Sequence, residues 1–288
     1  MKKRVLVLGF TGKMGSALFS VFSRKEYEIV GKNTSNFDAY NFNSVKKIIE
    51  NFKPDIVFNT VAFLGIDPCE KEPEKAFKLN TLLPKFLSEL SIKCGFILIH
   101  FSTDAVFDDE KQDYYIENDL PNPLNIYGLT KLGGDRMVQS KLSDYYIIRI
   151  PVLFGPTTKR DQFVEKMLLR IKNGDKFLMI SNNIISSPSY SIDIANKVMG
   201  IVSDHLPFGL YHVANKGSVS LYELISEIII QLKLDVKIKE CSYDDFDYIG
   251  RKNTYTPITS KKIPLLRNWR EAVEEYCDKL EFNRWIVN

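Results

Sequence analysis

Val5-Leu6-Val7-Leu8-Gly9-Phe10-Thr11-Gly12-Lys13-Met14-Gly15 is the stretch from which the fold is read. Val5–Gly9 is an apolar run closed by glycine, the composition of a strand buried on both faces. Beyond it, Met14, Ala17, Leu18, Val21 and Phe22 recur at helical spacing within 13–24. A strand passing through three glycines into a helix suits a phosphate. Gly9 permits the sharp turn, Gly12 lets the backbone approach a pyrophosphate, and Gly15 allows helix and strand to pack closely. The helix N-terminus then offers N–H groups and a partial positive charge. Three glycines also suit a plain turn with close packing, and the spacing differs from the G-x-G-x-x-G of larger dehydrogenases. The N-terminal strand-to-helix position favours the phosphate reading. Gly9, Thr11, Gly12, Lys13, Met14 and Gly15 are therefore candidate cofactor-binding residues.

The same alternation continues outward. Residues 27–31, 55–60, 96–101 and 145–150 read as strands. Helices are expected at 44–52, at 72–94 with a kink at Pro84, and at 124–142. Strands alternating with helices imply parallel βαβ units, an α/β doubly wound sheet of Rossmann type, with ligands beyond the strand carboxyl ends. After Ile150 the pattern loosens. Helices are expected at 163–172, 191–202 and 221–232, and strands at 177–180 and 210–213. Residues 1–150, with 190–215 returning to them, are expected to form the NAD(P)-binding domain. Residues 151–189 and 216–288 would form a smaller, partly interleaved substrate lobe.

Composition narrows the function. The 39 basic and 36 acidic residues leave a net charge of +3, with the basic residues scattered, so nucleic acid is not an expected partner. No apolar run is long enough for a membrane span, and the basic start lacks an adequate signal core. Cys69, Cys94, Cys241 and Cys277 are widely spaced, as in a cytoplasmic protein with reduced thiols. The three histidines, His100, His205 and His212, make no metal-binding spacing, so no protein-built metal site is expected.

A carbonyl reductase needs a proton donor beside the carbonyl oxygen, and a tyrosine serves if a nearby cation lowers its pKa. Tyr127 and Lys131 stand four residues apart on an expected helix and share one face. Tyr248 and Lys252 repeat the spacing in a polar stretch outside the βαβ region, and that pair is read as chance. The fourth strand delivers Ser102-Thr103-Asp104 to the ligand crevice, so Thr103 completes a candidate catalytic set. The second strand ends in Lys32-Asn33-Thr34-Ser35 with no carboxylate for a ribose 2′-hydroxyl. Lys32, Asn33 and Ser35 could meet a 2′-phosphate, which favours NADP(H) over NAD(H), or Lys32 could be a solvated loop lysine.

With these residues in view, the chain resembles the extended short-chain dehydrogenase/reductases, and within them the dTDP-4-dehydrorhamnose reductase group. The matching segments are Phe37-Asp38, Asn59-Thr60-Val61-Ala62, Asp67 to Glu70 with Glu72-Pro73 and Asn80, and Ser102 to Phe107. Pro121 to Lys131, Arg149, Ser187 to Asp193 and Gly209 to Val213 complete them, so they run over most of the chain. The resemblance implies Tyr127 as proton donor, Lys131 as its pKa-lowering and ribose-binding partner, and Thr103 as the hydroxyl member. It implies Asp38 on the adenine side, and Val61 and Ala62 lining the cofactor. Glu70, Asp104, Phe107 and the 186–189 loop with Ser187 would face the substrate. For Asp104 and Glu70, a turn cap and a helix-start charge are the alternatives. Arg251 could grip a diphosphate or be a surface charge.

The implied activity is NADPH-dependent reduction of a nucleoside-diphosphate-linked 4-keto-6-deoxy sugar, in precursor supply for polysaccharides, and a homodimer is common among such relatives. One segment departs from the group. After the fifth strand it usually reads Arg-Thr-Ser-Trp, and here it reads Arg149-Ile150-Pro151-Val152. An Arg-Ile-Pro run also occurs in relatives that include the regulatory β subunit of methionine adenosyltransferase. A non-catalytic NADP-binding subunit is therefore one alternative, which the intact Thr103, Tyr127 and Lys131 argue against. An epimerase or dehydratase is the other, and Ala105 stands where a dehydratase commonly carries a second acid.

Overall fold

A computed structural model describes residues 2–23, 25, 27–157, 159 and 162–280. Along the chain, the strands β1 (Lys3–Leu8), β2 (Tyr27–Lys32), β3 (Ile56–Asn59), β4 (Ile97–Thr103) and β5 (Tyr145–Ile150) come first. Short strands follow: β6 (Leu153–Phe154), β7 (Phe177–Ser181), β8 (Ile185–Ser186) and β9 (Ser189–Tyr190), then β10 (Gly209–His212), β11 (Val219–Ser220) and β12 (Lys237–Cys241). The helices are α1 (Lys13–Phe22), α2 (Phe42–Phe52), α3 (Ile66–Lys71), α4 (Pro73–Phe77), α5 (Leu83–Cys94) and α6 (Ile126–Lys141). After these come α7 (Phe163–Lys172), α8 (Ser191–Ser203), α9 (Leu221–Gln231) and α10 (Trp269–Lys279).

Six strands pair in parallel in the order β10-β5-β4-β3-β1-β2. The sheet is the expected doubly wound one. Its strand order reverses between β1 and β3, so the crevice opens over Leu8 and its register partner Asn59. The continuous apolar run of β1 has a direct cause: Val5 and Val7 pack on the α1 and α8 side, Leu6 and Leu8 on the α2 and α5 side. All four are fully buried, each stabilising the fold by roughly 1.5–3 kcal/mol. β10 is hydrogen-bonded to β5 and α8 packs on α1, so 191–212 belong structurally to this sheet.

The remaining elements enclose a second core of Phe154, Val164, Leu168, Leu178, Ile225, Ile228, Trp269 and Tyr276. Trp269 is a packing residue, 2% exposed in this core. β12 was not expected from sequence. It pairs in parallel with β7 (Phe177↔Lys237 to Ser181↔Cys241), and its Lys237-Ile238-Lys239-Glu240 is too polar to read as a strand.

The helix expected at 72–94 is instead three pieces: α4, a π-helical turn over Lys78–Leu82, and α5. Pro84 has no N–H for the carbonyl four residues back, that of Asn80, and the widened turn absorbs the mismatch. The Asn80 side chain, fully buried, accepts from the Phe63 N–H (2.8 Å) and donates to the Phe63 carbonyl (3.0 Å) and the Thr130 hydroxyl (3.1 Å). It thereby ties the loop after β3 to α6. Among the described residues no helix is long and apolar enough to cross a membrane.

Candidate active site

The glycine turn has the geometry its spacing implies. Gly9 sits at φ +86°, and a Cβ on Gly15 would lie 2.3 Å from the Gly9 carbonyl oxygen, so the fold itself demands both. Gly12 differs. Its φ is −73°, and an added Cβ would meet only the Gly9 carbonyl, at 3.3 Å. A Cβ there asks the Gly9 carbonyl to give only a few tenths of an ångström, and α1 starts at this residue with no side chain capping it. An open cradle before an uncapped helix N-terminus fits a pyrophosphate. The test separates the two glycines. Gly12→Ala is expected to leave the melting temperature of the ligand-free protein within about 2 °C of wild type and to weaken NADPH by about tenfold. Gly15→Ala should lower the melting temperature itself, since backbone must move. Calorimetric titration and thermal melts read these, and unchanged NADPH affinity in Gly12→Ala overturns the cradle.

Two side chains of this turn do not face the crevice. Lys13 is 1% exposed, with its ammonium 2.9 Å from Glu165 of α7 and 2.8 Å from the Leu153 carbonyl. Met14 is buried in the core beneath α1. Only their backbone remains for a phosphate. Thr11, Val61 and Ala62 are partly exposed along the crevice. Thr60 fixes the rim by donating to the Leu8 carbonyl at 2.8 Å. At the end of β2, the Asn33 side chain accepts from the Ser35 N–H (3.1 Å) and hydroxyl (2.6 Å). Asp38 is exposed and accepts from the Tyr40 N–H at 2.9 Å.

The catalytic candidates converge. Thr103 ends β4, and Tyr127 lies in the first turn of α6. A Cβ on Gly128 would fall 2.2 Å from the Ala105 carbonyl, so only glycine lets α6 approach the turn after Thr103 this closely. Asn125 caps α6 by accepting from the Gly128 N–H at 2.9 Å, and Glu70 accepts from the Ile126 N–H at 2.9 Å. The Thr103 hydroxyl acts on the Tyr127 phenol across the gap between strand and helix. Lys131, one turn on, donates to the Phe101 carbonyl at 2.5 Å.

The electrostatics differ from the expectation in one respect. Burial pushes the Tyr127 phenol up from its ordinary value, opposed by the Thr103 hydroxyl, while the Asp104 charge adds to the rise. Lys131 does not lower it; burial brings the Lys131 ammonium down to about 8, with Asp135 resisting. Tyr127 is thus held protonated, the state required of a proton donor.

Behind Lys131 lies a buried polar cluster. Arg149 donates twice to one oxygen of Asp135, at 3.1 Å each, and both residues are inaccessible. His100, placed by the sequence as a strand residue, is fully buried with Nδ1 3.1 Å from the Asn59 amide. Burial first, and Lys131 second, push its pKa well down, so it is neutral.

The substrate-side candidates divide. Asp104 is at the site: its carboxylate accepts from Thr103 (3.1 Å), Ser186 (3.1 Å) and Thr256 (3.0 Å). Burial raises its pKa against those three hydroxyls. Phe107 is corrected: it is fully buried, stacked on Tyr115 at 4.3 Å with Arg149 over its ring at 5.2 Å, and it packs the wall. Ser187 is corrected too. It is fully buried and donates to the Ile258 carbonyl at 3.3 Å, and Ser186 makes the contact to Asp104. Glu70 serves as the helix-start charge already described. The Arg251 guanidinium is largely exposed and paired with Asp109 at 3.2 Å.

Several working residues went unseen in the sequence. Asn125 carried a readable signal, a capping residue at the start of an expected helix. Thr256 carried none, because a chain crossing of 152 residues brings it to Asp104. Lys252, read as chance, lies in a segment bonded to Asn125 beside the site, where the Asp104 and Asp67 charges act on its ammonium.

Known proteins match this chain over most of its length. The family model described as the RmlD substrate binding domain matches residues 2–282. A spore coat polysaccharide biosynthesis protein, SpsK of Bacillus subtilis, is 30% identical over 280 residues, covering 96% of this chain and 97% of its own. Methionine adenosyltransferase 2 subunit beta of Danio rerio is 29% identical over 78% of this chain and 73% of its own. The crystal structure of dTDP-4-dehydrorhamnose reductase from Bacillus anthracis in complex with NADP superposes with a TM-score of 0.90 at 26% identity, covering 96% of this chain and 99% of that one. With its glycine turn, its Thr103–Tyr127–Lys131 set and a match over nearly its whole length, the chain belongs to the RmlD substrate binding domain family.

Proposed function

We propose that this protein is an NADPH-dependent reductase of a keto group on a nucleoside-diphosphate-linked 4-keto-6-deoxy sugar, acting in the cytoplasm in the supply of polysaccharide precursors. The observation that carries the reading is Tyr127: a phenol kept protonated by burial, acted on by the Thr103 hydroxyl and one helical turn from Lys131. Four free cysteines accord with the compartment. A bound dinucleotide supplies the hydride. Gly9 to Gly15 and the N-terminus of α1 would hold its pyrophosphate, with Val61 and Ala62 along its length and Lys131 at the ribose. The end of β2, without a carboxylate and with Lys32 and Asn33, supports NADP(H) over NAD(H), as does the NADP complex of the Bacillus anthracis reductase.

The chain's own residues then move one proton. Tyr127 donates from its hydroxyl to the carbonyl oxygen as charge develops there. In the resting site the Thr103 hydroxyl donates to Asp104, and a turn about its C–O bond brings that donor to the substrate oxygen instead. In the resting site the Lys131 ammonium is bonded to the Phe101 carbonyl and does not act on the phenol; swung towards Tyr127, it stabilises the phenolate left behind. Pro151 and Val152 stand where the group usually carries Ser and Trp, with Val152 packed against the second core, and this departure supports a preference for a different sugar.

The direct test follows nicotinamide absorbance with NADPH and a panel of nucleoside-diphosphate 4-keto sugars. Turnover with at least one member is expected. Tight NADPH binding with no turnover across the panel would sink the reductase reading in favour of a regulatory subunit.

A further inference from the structure

Lys252 lies on a strap, residues 249–256, that crosses the front of the site and is fastened along its length. Asp67 accepts from the N–H groups of Ile249 (3.1 Å) and Gly250 (3.4 Å). Asn125, the cap of the helix carrying Tyr127, donates to the Arg251 carbonyl (2.9 Å) and the Asn253 side chain (3.0 Å), thus bracketing Lys252. Asn253 donates to the Phe107 carbonyl, and Tyr243 accepts from the Lys252 N–H at 3.1 Å. Thr256 closes the strap on Asp104. The backbone of Lys252 is therefore fixed, through Asn125, to the helix that presents the proton donor.

The side chain itself has no assigned work. It is partly buried, feels the charges of Asp104 and Asp67, and forms no hydrogen bond or ion pair with its ammonium among the described residues. Those two carboxylates raise its pKa less than burial lowers it. Of the buried cations near the crevice, Lys13 is paired with Glu165, Lys131 is bonded to Phe101 and Arg149 is paired with Asp135. Arg251 is turned outward to Asp109. Lysine is a compact charge suited to phosphate oxygens, and an enclosed one lacking a partner is a site awaiting an anion. In a pyranose whose C4 carbonyl meets Tyr127, the C1 substituent lies across the ring from it.

Resting on the reductase reading above, we infer that Lys252, and not Arg251, binds the sugar-linked diphosphate of the substrate and sets which end of the sugar reaches Tyr127. The strap would then make the diphosphate contact and the proton donor one rigid unit.

The test uses the full chain saturated with NADPH and titrated calorimetrically with dTDP, UDP and thymidine, with wild type, Lys252→Met, Lys252→Arg and Arg251→Met compared. Expected is a loss of nucleoside diphosphate affinity of tenfold or more in Lys252→Met, recovery to within a few-fold in Lys252→Arg, and little change in Arg251→Met. Thymidine and NADPH affinities should stay level throughout, which a merely structural lysine would not produce. In turnover, KM should rise in Lys252→Met with kcat held within a few-fold. Wild type binding either diphosphate with Lys252→Met binding it equally overturns this inference and leaves the reductase reading standing. Wild type binding neither overturns both.

Discussion

Tyr127→Phe is expected to lower kcat/KM for keto reduction by about a thousandfold, equivalent to about 4 kcal/mol of transition-state stabilisation. The phenylalanine keeps the ring and loses only the proton that must reach the carbonyl oxygen. NADPH affinity should change little, because Lys131 and the glycine turn remain. The pH profile gives a second reading. Lys131 loses its proton as pH rises through about 8, and stabilisation of the phenolate goes with it, so the wild-type rate of reduction is expected to fall above that pH. Below it, both Tyr127 and Lys131 carry their protons and the rate is level on that account. In Tyr127→Phe the residual rate should lose this limb. Steady-state kinetics from pH 6 to 10 checks both points; a residual rate above about a tenth of wild type would rule Tyr127 out as the donor.

Arg149→Leu should have the largest effect on stability. Asp135 is wholly buried and Arg149 is its only hydrogen-bond partner among the described residues. His100 stands 3.8 Å from the other carboxylate oxygen, too far for a bond, and is neutral. Removing the guanidinium strands a buried charge, a loss of about 3–5 kcal/mol. In a chain this size that lowers the melting temperature by on the order of 10 °C. Asp135→Leu combined with Arg149→Leu should restore much of it, since no lone charge then remains. Activity need not return, because Asp135 also supports the proton on Lys131 one helical turn away. Thermal melts of the two variants decide this; a single variant melting within about 2 °C of wild type would show that water or Lys131 already compensates Asp135.

Both predictions concern residues whose types were visible in the sequence and whose relationships were not. Tyr127 and Lys131 were legible because four residues on a helix is one face. The direction of the Tyr127 shift was not, because burial depends on what the chain places over the phenol. Phe107 and Ser187 sat in the right segments, yet neighbours distant in sequence turned both into packing. The second Tyr/Lys spacing was discounted for its polar surroundings, and only the docking of residues 249–256 across β4 and α6 gave Lys252 a place.

By itself, the sequence determined the sheet. Val5 to Leu8 had to be buried on both faces because every residue is apolar, and Gly9 and Gly15 had to be glycine where strand and helix approach within contact distance. The same stretch suggested a whole phosphate site from seven residues, and here tertiary structure decided differently for each. Gly12 stays open to a ligand, while the Lys13 ammonium turns 152 positions along the chain to Glu165. The reason is physical: local spacing fixes backbone geometry, whereas a charge goes to whichever buried partner the finished fold provides.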